Sequence, residues 1–163
     1  MESNTINPKH LDHAVHTGLI SAAIVGVSIG ILFGLTHSVQ VGAALLDAID
    51  IYGDSASISF NPASPVIASV VSIIPAVVGG IAGAGAPIGA LTLARWLKLG
   101  PPVRLVAGLV IAIAGGAAAG AIITSLIPQF LAEGAALGAG TGTVAGIVSL
   151  SSYQLQVDIG DAS

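Results

Sequence analysis

The 163-residue chain is 54% hydrophobic and only 7% charged, with a net charge of −4 and a mean hydropathy of +0.97, whereas about a quarter of the residues in an ordinary soluble domain are charged. A chain this short keeps roughly a third of its unfolded surface exposed after folding, and it has too few polar side chains to cover that surface in water, so lipid is the better solvent. Its 4 Lys and Arg residues are too few to neutralise a run of nucleic-acid phosphates, and the absence of cysteine removes disulfides, thiolate metal sites and cysteine nucleophiles together.

Asn7-Pro8 reads as a helix start, because Asn caps free backbone donors and Pro at the first helical position loses no needed hydrogen bond. Residues 1–16 are therefore expected to include an amino-terminal helix at the cytoplasmic interface. With Glu2, Lys9 and Asp12 they match the basic start of a secretory signal poorly, so the first apolar run is read as a retained span. That run is uncharged from Thr17 to Thr36, close to the ~20 residues that cross a bilayer. Its apolar pattern continues to Leu46, which places span one at about 17–46. Asp47, Asp50 and Asp54 then mark a water-facing loop, where Ser55 to Phe60 alternates with a strand's period of two and suggests a short hairpin. The three acids lack the spacing and glycine of a calcium loop.

Ser64-Pro65 starts span two, placed at 64–94. It is longer than one crossing requires and contains Pro75, Pro87 and a glycine-rich run from Gly79 to Ala86. One long kinked span is expected, with a re-entrant pair of half-helices as the competing path. After the basic break of Arg95, Trp96, Lys98 and Arg104, span three covers about 105–127 and ends at Pro128. Span four, about 135–152, is short and rich in small residues, so it is expected to pack between neighbours. Residues 153–163 form a polar carboxy-terminal tail whose Tyr153–Ile159 stretch alternates like a strand.

The fold class expected is thus an all-α integral membrane protein, a four-helix transmembrane bundle organised as an amino-terminal helix, a membrane domain over 17–152 and a polar tail. Small residues recur every fourth position: Gly26, Gly30 and Gly34 in span one, Gly108, Ala112, Gly116 and Gly120 in span three, and Gly138, Gly142 and Gly146 in span four. Such glycine-zipper-like faces let helix backbones approach closely where lipid supplies no hydrophobic force between helices. They can be used inside one bundle or between copies of the chain.

Candidate chemistry is sparse. His10, His13 and His16 spread over about 120° of a helix at 100° per residue; adjacent pairs could share a metal, but only Asp12 lies near to complete a site, so a polar stripe is the expected role. His37 and Gln40 interrupt the end of span one as interface residues. No charged residue falls within the span cores, which argues against ion-coupled transport built on buried charges. Ser21, Ser28, Ser69, Ser72, Thr124, Ser125, Thr141 and Thr143 could line a pore, or could bond to their own helices. No nucleophile with its base, metal centre or carboxylate pair is visible, and no cofactor motif. The expected function is a non-enzymatic structural or accessory subunit that packs with lipid and with other copies or other membrane subunits; the alternative is a channel or facilitator for a small solute or ion.

Short loops rich in Lys and Arg stay on the cytoplasmic side. This puts Arg95, Lys98 and Arg104 on the cytoplasmic side of a cell membrane, with both termini, and puts Trp96 and Tyr153 at one interface as aromatic anchors. Because the chain has no native cysteine, a single Cys introduced at Leu99 tests this orientation: impermeant maleimide should label it only from the cytoplasmic side, and labelling only from outside would reverse the topology.

Overall fold

The computed structural model describes residues 8–52, 64–98 and 100–161. Among these there is no strand. The elements are α1 (Pro8–Thr36), α2 (Ser38–Tyr52), α3 (Pro65–Ala84), α4 (Ala86–Leu97), α5 (Pro101–Thr124), a 3-10 turn (Pro128–Phe130) and α6 (Leu131–Asp161). Proline sets several of the starts. Ser64 and Gly100 are extended, and Pro65 or the Pro101-Pro102 pair then enters the helix with φ already suited to it. Helix α4 stops at Lys98, whose left-handed backbone (φ 52°) turns its N–H onto the Ala94 carbonyl.

Among the described residues, four stretches are long and apolar enough to cross a membrane: Pro8–Thr36, Pro65–Ala94, Pro102–Thr124 and Pro128–Leu155. These residues are thus all-α and consistent with an integral membrane protein. Three details differ from the sequence reading. The first spanning helix ends at Thr36 rather than near 46, and Ser38–Tyr52 is a separate helix. The two meet at a bend at His37, where the Thr36 hydroxyl donates to the Leu32 and Phe33 carbonyls and lies 2.8 Å from His37 Nδ1. The fourth helix is longer than 135–152, beginning at Leu131 and running to Asp161. Tyr153–Ile159 is therefore helical, not strand-like; no proline or glycine interrupts it, and a period of two over seven residues cannot by itself override continuation of a formed helix. The possible hairpin at 55–60, and Asp54, lie outside the described residues.

Contacts between glycines and their neighbours give the helix directions. Gly26, Gly30 and Gly34 face Val77, Ile73 and Ser69 in turn, so α1 and α3 are antiparallel. Gly79 and Gly83 face Gly138 and Gly142, so α3 and α6 are parallel, whereas Gly116 and Gly120 face Gly138 and Gly134, so α5 and α6 are antiparallel. Helices α3 and α6 form the shared centre. Helix α1 packs on both from one side, and α5 packs on both from the other.

The approach is close enough that side chains would not fit. A β-carbon added at Gly30 would lie 2.5 Å from Ile73 Cα, and one at Gly26 would lie 2.9 Å from Val77 Cα. At Gly142 it would meet the Ala112 and Gly79 carbonyl oxygens at 2.8 and 2.9 Å, and at Gly83 it would run into the backbone of Gly142. The interior is accordingly built of Ala, Gly, Ser and Thr, while Ile24, Leu32, Val70, Ile122 and Leu126 point outward. This inverts the pattern of a water-soluble core and suits a lipid solvent.

The long second apolar stretch contains Pro75 inside an unbroken α3 and is interrupted at Gly85. Pro87 offers no N–H to Gly83, the carbonyl one turn back. The bonding pattern tightens there, with Gly85 N–H donating to Ala82 O at 3.3 Å and Ile88 N–H to Gly85 O at 3.1 Å.

Two alanine substitutions separate close backbone approach from helix propensity. Gly140 has open space where its β-carbon would be, so Gly140→Ala should be neutral or stabilising by up to about 1 kcal/mol. Gly83→Ala should destabilise by about 1–3 kcal/mol, because backbone rather than a movable side chain blocks the methyl. Reversible unfolding in mixed micelles measures both, and equal effects would contradict the packing described.

Candidate functional site

A chemically varied surface lies where α1 passes into α2 and meets the start of α6. A cleft of about 490 Å³ is lined there by Phe33, His37, Gln40, Val41, Ala43, Ala44, Asp47, Gln129, Phe130 and Glu133. Local structure places each group. At the α1–α2 junction His37 keeps the helical backbone bonds on both sides, donating its N–H to Phe33 O and accepting from Val41 N–H. Its ring lies flat on Phe33, with centroids 4.2 Å apart and planes 9° from parallel, and Nδ1 is 3.2 Å from Phe33 O.

Phe130, in the 3-10 turn before α6, is buried and tilts against Phe33 at 6.1 Å. It joins Val41, Ala44, Ala68, Ala76 and Leu137 in a packed cluster beneath the cleft. The neighbouring Gln129 amide donates to Asp47 Oδ2 at 3.0 Å, linking α2 to the turn. Glu133 occupies the first turn of α6, where the free N–H groups of a helix start favour a carboxylate. Its Oε2 is nevertheless closed off from solvent and has no hydrogen-bond partner within the protein.

Of the residues singled out from sequence, His37, Gln40 and Asp47 line the cleft; the others fall elsewhere. His10, His13 and His16 lie near the opposite end of α1; His13 and His16 are exposed and His10 half-buried. Among the described residues no three His, Cys, Asp or Glu groups come together in a way that could hold a metal ion. Trp96 is 85% exposed, Lys98 is exposed, and Arg104 and Tyr153 are half-buried. They share the end of the bundle where Gly18 and Ala84 meet Ser149, and Arg95 is on the last turns of α4 at the same end.

The hydroxyls within the apolar helices are largely committed to carbonyls. Thr141 donates to Ala76 O at 2.5 Å and Leu137 O at 2.9 Å, and Ser149 donates to Ala14 O at 2.9 Å and Ala84 O at 3.0 Å. Ser69 reaches Ile31 O at 3.3 Å, while Ser72, Thr124 and Thr143 bond within their own helices.

Sequence reading did not assemble the cleft. His37 and Gln40 mark one side of it in the sequence, whereas Phe33, Phe130, Gln129 and Glu133 carry no spacing signature; on the other side the only local mark is Pro128-Gln129-Phe130, a proline followed by an amide and an aromatic between two apolar runs. The sequence matches no family model, and neither the curated proteins nor the solved structures contain a match; the site must be interpreted from its own chemistry.

If Phe130 is the floor on which α2 rests, Phe130→Ala should loosen α2 selectively. Amide hydrogen exchange should rise over residues 38–52 and stay slow along the α1–α3 contact at Gly26–Gly34; uniform acceleration would instead show that Phe130 supports the whole bundle.

Proposed function

We propose that this protein is a non-enzymatic, multi-pass membrane protein acting as a structural or accessory subunit. In this reading it lies in a cell membrane with the basic Trp96 end and both termini on the cytoplasmic side. The observation that carries it is the direction of the polar and small groups. Buried hydroxyls turn onto backbone carbonyls of their own or neighbouring helices, which supports a packing role for them over a water-lined path. Large apolar side chains are left facing outward, where lipid or another subunit would cover them.

We read the contacts of Gly26, Gly30, Gly34, Gly79, Gly83, Gly116, Gly120, Gly138 and Gly142 as glycine-zipper packing within one chain, and the break at Gly85 as a kink in a single second crossing. Gly108 and Gly146 extend the same seams against Leu150 and Ala112. Assembly with other copies then uses the outer faces, where Gly115 and Gly140 have open space at their β positions.

Native mass spectrometry from nanodiscs tests this. Assemblies should appear at multiples of the 15.8 kDa chain, and Gly140→Ile should shift them toward single chains while the helical signal and melting behaviour are retained. A wild-type protein that stays a single chain at every loading would overturn the assembly role. Selective ion or solute flux into proteoliposomes would replace it with a channel.

A further inference from the structure

We propose that α4 is a hinged arm whose bend from α3 is set by competition for one carbonyl, Ala84 O, between the Ser149 hydroxyl and the Ile88 N–H. Ser149 is fully buried on α6, and its Oγ lies 2.9 Å from Ala14 O and 3.0 Å from Ala84 O. A hydroxyl has a single hydrogen to give, so the two carbonyls share it. In a regular α-helix Ala84 O would accept from Ile88 N–H, one turn on. Here Ile88 N–H donates to Gly85 O at 3.1 Å, an oxygen that also accepts from Gly89 N–H at 3.3 Å. One carbonyl is thus used twice while its neighbour is held from another helix. Returning Ile88 N–H to Ala84 O restores the regular pattern, and the Ser149 hydrogen then passes wholly to Ala14 O. Each of these groups keeps a partner in both arrangements, so the exchange leaves no buried donor or acceptor orphaned.

The joint allows this movement. Gly85 has φ −76° and ψ −3°, and a rotation of ψ by roughly 40° makes it helical. A β-carbon there would meet only Ala82 O of its own turn, at 3.4 Å. No neighbouring helix therefore requires glycine at 85, in contrast to Gly83, which meets the Gly142 backbone; what glycine adds at 85 is backbone freedom. Pro87 retains part of the bend because its ring crowds the Gly83 carbonyl, so the exchange changes the angle without abolishing it. The surface under the arm can adjust as well. Gly89 faces the Ile111 side chain, whereas α3 meets α6 backbone to backbone; α4 therefore rests on a group that can change rotamer and α3 does not. The exposed Trp96 and Lys98 ride at the tip of α4. Trp96 lies about 16 Å of helix beyond Gly85, so a change of about 20° in the bend carries its ring roughly 5 Å. Two arrangements with equal bonding and different tip positions make α4 a bistable element, with Ser149 as its latch.

The switch rests on the break at Gly85 being a kink within one crossing, which is checked separately: in proteoliposomes Val66→Cys and Leu97→Cys should be labelled by impermeant maleimide from opposite sides, and labelling from the same side would overturn that premise. The switch itself is read by pulsed electron paramagnetic resonance on the full chain in nanodiscs, with spin labels on Ile20→Cys and Leu97→Cys, both exposed positions. Ser149→Ala removes the hydroxyl while keeping the β-carbon, and Gly85→Ala favours the regular helix by propensity. Each should shift the main distance by roughly 5 Å in the same sense, with helical content unchanged by circular dichroism. Thr143→Val, which loses a hydroxyl bonded within α6, should leave it in place. Trp96 is the chain's single tryptophan, so its quenching by brominated lipid should change in parallel in the first two variants. Distances and quenching identical in wild type, Ser149→Ala and Gly85→Ala, or the two variants shifting in opposite senses, would overturn the switch while leaving the kink standing.

Discussion

The architecture depends on backbone meeting backbone at the centre of α3, α5 and α6. Gly138 and Gly142 each face two helices, Gly79 or Gly83 on α3 and Gly116 on α5. Helix α6 therefore cannot carry a side chain at either position without moving a neighbour. In water such a seam would be weak, because glycine buries little apolar area. In lipid the comparison changes: tails are as apolar as any side chain, so helices associate through dispersion at short range and through weak polar contacts that only close approach permits. The small-residue interior and the large-residue exterior are two sides of this one constraint.

Close approach also exposes helix carbonyls to neighbouring hydroxyls. Ser149 illustrates the use made of this. Near the α3–α4 break Pro87 cannot donate an N–H and Ile88 turns to Gly85 O, while Ser149 on α6 donates to Ala84 O and, at the same time, to Ala14 O on α1. One hydroxyl thus ties three helices at the point where the regular bonding of the second apolar stretch is disturbed. Thr141, two turns earlier, makes the corresponding link to Ala76 O. Interhelical bonds of this sort contribute only about 0.6–2 kcal/mol each. Their position matters more than their strength, because they fix the rotation of α6 against α3 and keep its glycines in register.

Much of the helical layout was legible in the sequence, and the reasons for the failures are physical. Uncharged length gave the number of apolar stretches, and the four-residue recurrence of Gly26, Gly30 and Gly34 marked a face that can be closely approached. It could not name the partner. That face meets Val77, Ile73 and Ser69 rather than another glycine row, since a flat surface accommodates any ridge of suitable shape. The bend at His37 was hidden because apolar residues continue on both sides and the backbone bonds run through it, His37 N–H to Phe33 O and Val41 N–H to His37 O. The helical tail was missed because alternation over a few residues cannot by itself distinguish a strand from the continuation of a helix already formed. The cleft was illegible for a different reason: Phe33, Asp47 and Glu133 are far apart in sequence and carry no spacing signature, and only the packing of the turn at Pro128 brings them together.

The two ends of the bundle are consequently different in kind. Near the Trp96 end, α6 meets α1 and α3 through Ser149 lying against Gly18 and Ala84, so the helices stay close and the charged groups lie around them. At the other end the glycine contact of α1 with α3 continues to Gly34, but the space between α2 and α6 is held by Phe33 and Phe130 instead of by backbone. Aromatic rings at 6.1 Å hold elements further apart than glycines do, and helix ends that are spread by rings leave room between them. The cleft is therefore a consequence of changing the packing residue from glycine to phenylalanine at one end of an otherwise tightly closed fold. The placement of Asp47 and Glu133 around that opening gives it a chemical character that the remainder of the membrane domain lacks.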